Sequence, residues 1–133
     1  MLCGLADTIK SSVWEALERM LQLQKEELSR IQSSKVPAVY EYFVTGWRDE
    51  RKRERLVLRS ERSVRRLVQF LQVGVDRGEF SPALPLELIA KVMVSLFEGI
   101  MIHTLAIGPE HADTFRQLDV LITHMKSLLL PSK

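Results

Sequence analysis

Three imidazoles, one thiol, a run of arginines and a cluster of aromatic rings are the side chains with chemistry to offer in this chain. His103, His111 and His124 show neither the HxxxH nor the HxxE spacing that brings ligands onto one helical face. A metal needs several converging nitrogen or carboxylate ligands, so no metal site is expected. Cys3 is the sole cysteine, which excludes an intrachain disulfide and a cysteine-based zinc site and suits a reducing cytoplasm. No GxSxG elbow, phosphate-binding loop or dinucleotide fingerprint occurs. No catalytic residue is therefore assigned, no cofactor is expected, and the chain reads as a non-enzyme. His103, near the end of a long apolar segment, fits either a hydrogen-bonding group inside a pocket or a cation at a helix C-terminus.

Arg48 to Arg66 carries nine basic residues against four acidic ones. That excess is larger than the +2 of the whole chain, so the remainder is net acidic. Clustered arginines can bind nucleic acid by releasing its counterions, or bind an anionic membrane. The competing reading is a solvated helix face with local pairs to Glu50 and Glu54. It is favoured, because no aromatic is interleaved to stack bases and no glycine-rich loop accompanies the run.

Tyr40, Tyr42, Phe43 and Trp47 crowd one short segment, and not all of them can point inward. Tyr42, Phe43 and Trp47, with Phe70, Met93, Phe97, Met101 and His103 from facing segments, are expected to line an apolar pocket of adaptable side chains. Plain core packing is the competing reading.

These groups need elements to hold them. A chain of 133 residues with 46% hydrophobic and 27% charged content can bury a core as one soluble domain. Proline and glycine punctuate it sparsely, and nothing between them alternates with the period of a strand. Five helices are expected. Ser12 to Glu15 reads as a capping box ahead of a stripe of Val13, Leu17, Met20, Leu23 or Gln24, Leu28 and Ile31. Pro37 opens a short aromatic helix. A third helix runs from about Asp49 to Arg77, with Leu56, Ser60, Val64, Leu67, Leu71 and Val75 facing inward. Gly78 stops it in the left-handed conformation, and Phe80 folds back as an apolar plug before Pro82. A fourth helix begins at Pro85, and Gly108-Pro109 ends it and opens the fifth. The length of Leu86 to Ile107 suits a bilayer crossing, but Glu87, Lys91, Glu98 and His103 interrupt it, so no membrane is expected. Ser95 and Gly99 place two small residues on one face where another helix can approach. Phe115, Leu118, Ile122, Met125 and Leu129 keep the three-four rhythm of a helix-packing seam, which Leu121 widens.

The order of these pieces resembles the C-terminal effector-binding and dimerisation domain of TetR-family transcriptional regulators. The likeness rests on Pro37 to Glu50, on Leu71 to Phe80 and on Pro85 to Gly99. It implies an all-α, five-helix domain over residues 12–133, with the last two helices forming an intersubunit four-helix bundle. It also implies a repressor-type regulator with a small apolar or aromatic effector. Ser95, Gly99, Phe115, Leu118, Leu121, Ile122, Met125 and Leu129 would then form the dimer interface. The partner would be a second copy or a full-length homologue. Residues 1–11 read as the stub of the helix that links such a domain to its helix-turn-helix head. Without that head, sequence-specific DNA binding by this chain is not expected.

Overall fold

The computed structural model describes residues 12–28, 30 and 36–130; the expected linking stub, Cys3 and Ile31 lie outside the described residues. Among the described residues there are five helices and no strand. They are α1 (Val13–Leu28), α2 (Val36–Thr45), α3 (Glu50–Asp76), α4 (Leu86–His111) and α5 (Thr114–Leu129), with a 3-10 turn at Gly46–Arg48.

The limits of α3 fall where the sequence places them. Asp49 caps its start, its carboxylate accepting from the amides of Arg51 (3.0 Å) and Lys52 (3.3 Å). At its end Gly78 has φ +76°, and the amides of Glu79 and Phe80 both turn back to the Gly74 carbonyl, at 2.9 and 3.1 Å. The buried Phe80 ring lies flat on Gly74: a Cβ at that glycine would stand 2.2 Å from the ring. Gly74 is thus a contact glycine, required by Phe80 rather than by its own backbone.

The same turn holds α1. Ser12 Oγ accepts from the Glu15 amide at 3.0 Å, as the capping box requires. The amides of Val13 and Trp14 instead donate to the two carboxylate oxygens of Glu79, at 2.9 and 3.2 Å. A residue from the α3–α4 turn therefore satisfies donors that a helix start leaves open. Beyond the turn, the amides of Ser81 and Ala83 donate to the Leu129 and Leu128 carbonyls, closing the free end of α5.

The break between α4 and α5 differs from the expectation. Gly108 leaves the helical region (φ +86°, ψ 157°), but a further turn follows before α5 opens at Thr114, after Asp113 in the left-handed region. Two buried hydroxyls fix this corner. Thr104 Oγ1 donates to the Ile100 carbonyl, which leaves Thr114 as the donor in the 2.6 Å contact between the threonines.

The interior forms two clusters. Val13, Leu17, Leu71, Phe80, Ile89, Met125 and Leu129 meet at the end of the Gly74–Phe80 turn. Leu28, Tyr40, Ile100, Met101 and Leu118 meet towards α2.

Gly74→Ala is expected to destabilise the fold by about 1–3 kcal/mol, the cost of overpacking a filled core, read as a lower urea midpoint. Combining it with Phe80→Leu should cost less than the sum of the single changes, because the two act on one contact.

Candidate functional site

A cavity of about 310 Å³ lies between the two clusters and takes wall residues from all five helices. Leu17 and Met125 reach it from the first cluster, Tyr40 and Leu118 from the second. Its space has a sequence origin. Where the inward face of α3 continues from Leu67, the next wall positions are the small Ser63 and the long, polar Arg59. On α1, the exposed Gln24 adds a further polar wall position. Met20, Leu21, Met93, Val94, Phe97, Leu121 and Ile122 make the rest largely apolar.

One end is polar. Arg59 Nη1 donates to Glu98 Oε1 at 3.2 Å, with the Glu98 side chain only 18% exposed. The Tyr40 phenol is buried beside them. Burial first, and then the Glu98 carboxylate, push its pKa up to about 12; Arg59, by charge and by hydrogen bond, pulls the other way. Tyr40 is therefore a neutral phenol throughout the physiological range, and the Arg59 and Glu98 charges compensate one another.

Of the residues expected to line a pocket, the cavity brings together Met93 and Phe97. Phe70 packs on the first cluster, and Met101 is buried in the second. Phe43 meets Tyr40 edge-on, with ring centroids 6.4 Å apart. Tyr42 lies under the Lys52 ammonium at 5.4 Å, and its buried hydroxyl has no hydrogen-bond partner among the described residues. Trp47 stacks beneath Arg48 and is 63% exposed. His103 points to the outside of the α4–α5 pair. Sequence reasoning missed Arg59, Ser63 and Gln24 as cavity residues.

The expected interface residues divide between two surfaces. Leu118, Met125 and Leu129 are fully buried within the chain, so the three-four seam packs α5 onto its own neighbours. Ile122 lines the cavity. Ser95 and Gly99 face outward, into an open groove of about 600 Å³ between α4 and α5 shared with Leu96, His103, Val120 and His124. A Cβ on Gly99 would meet nothing within 4 Å. Leu88, Val92, Leu96, Phe115 and Val120 are exposed apolar residues on these two helices. Leu121 borders both the groove and the cavity.

Arg51, Arg53, Arg55, Arg62, Arg65 and Arg66 are exposed and make no ion pair among the described residues; of the arginines on α3, Arg59 alone does. No group of three or more histidine, cysteine, aspartate or glutamate side chains among the described residues is placed to hold a metal ion.

Residues 16–114 match the family described as tetracyclin repressor-like, C-terminal domain. The chain is also similar to an uncharacterised HTH-type transcriptional regulator of Bacillus subtilis, YfiR, with 34% identity over 118 residues. That match covers 89% of this chain and 58% of the relative, so the chain spans little more than half of that protein's length.

One of the two tyrosines should titrate late. The folded chain keeps the Tyr40 proton that the unfolded chain releases near 10, so this contribution to stability is complete below pH 10 and is lost as pH rises through about 12. Tyr40→Phe should abolish the late phenolate absorbance step and reduce the alkaline loss of stability by about 2–3 kcal/mol.

Proposed function

The chain belongs to the family of tetracyclin repressor-like C-terminal domains, and we propose that it serves a cytoplasmic transcriptional regulator as its ligand-sensing and dimerisation domain. Regulators of this family generally dimerise and bind small-molecule effectors. The observation that carries the assignment to these residues is Leu121, which borders both the cavity among the five helices and the groove between α4 and α5. A molecule that fills the cavity pushes on the inner side of the surface that a second copy covers.

In this reading two copies pair through the outward faces of α4 and α5. α4 is long and apolar enough to cross a membrane. A partner copy covering Leu88, Val92 and Leu96 accounts for that composition without a bilayer. Close approach is possible at Ser95 and Gly99, where the helix carries little side chain. Reading of a DNA sequence falls to a helix-turn-helix head, whether joined to this domain or carried by a paired homologue. The competing reading, a basic adaptor for nucleic acid or anionic membrane, draws on the unpaired arginines of α3. As a secondary property these would give weak association through phosphates.

Sedimentation at micromolar concentration should show a dimer, and Leu96→Glu or Val120→Glu should give a folded monomer, since both side chains are exposed in the single chain. A monomeric unaltered chain would remove the dimer from this reading. Binding of the chain to duplex DNA should be independent of sequence and fall steeply between low and physiological salt. A sequence-specific footprint contradicts it, and tight binding at physiological salt with a steep salt dependence favours the adaptor.

A further inference from the structure

The polar end of the cavity restricts what can occupy it. We propose that the cavity selects an uncharged, mostly apolar molecule of single-ring size through one hydroxyl group, held at Tyr40, Arg59 and Glu98. The inference rests on the reading of the cavity as the effector site.

Size sets the first limit. About 310 Å³ lies at the lower end of small-molecule sites, which run from about 300 to 1,000 Å³. Charge sets the second. Arg59 and Glu98 are already paired at 3.2 Å, so the polar end has no net charge to offer a ligand. A carboxylate would face Glu98, and an ammonium would face Arg59. Either would add an uncompensated charge beside an already neutral pair, whose Glu98 side chain is 18% and Arg59 side chain 40% exposed, and would gain only a partial interaction for the hydration it gives up.

Hydrogen-bonding capacity sets the third. A carboxylate accepts at two oxygens, and the Arg59 bond engages Oε1, so Glu98 has acceptor capacity for a ligand O–H. The neutral Tyr40 phenol can donate to the same ligand oxygen. A hydroxyl both donates and accepts, which a carboxylate or an ammonium does not. A purely apolar molecule would fill the cavity and leave these groups without the water they lose.

The test is calorimetric titration of the intact chain at neutral pH with four probes of one shape: 4-propylphenol, propylbenzene, 4-propylbenzoate and 4-propylbenzylamine. The phenol should bind about tenfold tighter than propylbenzene, the effect of one well-made hydrogen bond to a charged group. Both charged probes should bind more weakly than propylbenzene. Glu98→Gln leaves Arg59 unpaired and should turn selectivity towards the benzoate; Arg59→Gln should turn it towards the amine. A merely structural pair would weaken all four probes alike. Preference of the unaltered chain for a charged probe, or equal affinity for phenol and propylbenzene, overturns the hydroxyl assignment and leaves the cavity reading standing. Binding of none of the four overturns both. Should either variant fail to fold by circular dichroism, the probe series on the unaltered chain decides alone.

Discussion

The seating of Phe80 on Gly74 is the contact from which the rest of the bundle is arranged. A ring can lie against a helix backbone only where no Cβ intervenes, and Gly74 supplies that place within the last turn of α3. With the ring fixed, the chain reverses and Glu79 is carried to the start of α1, where its two oxygens meet two open amides. The next residues then satisfy the carbonyls at the end of α5. One reversal thereby positions three helix termini. The first hydrophobic cluster forms around this reversal, and its residues are among the most completely buried in the chain.

Away from that end the packing changes character. The second cluster is smaller, and α2 adds a short helix with Val39 and Val44 exposed. Between the clusters the walls are largely apolar but include Ser63, Gln24 and the Arg59–Glu98 pair.

Much of this arrangement was legible in the sequence, and the failures have a common cause. Asp49, Gly78 and Phe80 were readable because caps and stops are local: a side chain and a backbone conformation within a few residues decide them. The fifth helix was not readable in the same way. A three-four rhythm states that a face is packed, but not whether the chain or a partner packs it, and Leu118, Met125 and Leu129 proved to be inward. The aromatics of α2 were misplaced for a related reason. Composition gives the apolar content of a segment but not the direction of each ring: Tyr40 on α2 reaches the cavity, whereas Trp47 falls in the 3-10 turn beyond it and is exposed. Arg59 was hidden among arginines that do face solvent. Only the facing Glu98, thirty-nine residues away, separates it from them.

A side chain that belongs to two surfaces has a consequence for regulation that follows from linkage alone. If effector in the cavity alters how tightly two copies hold together through Leu121, pairing must alter effector affinity by the same factor. The concentration at which the domain responds is then not a fixed property of its cavity. It shifts with the abundance of the chain itself, so a cell could retune the threshold by changing expression, with no substitution in any wall residue.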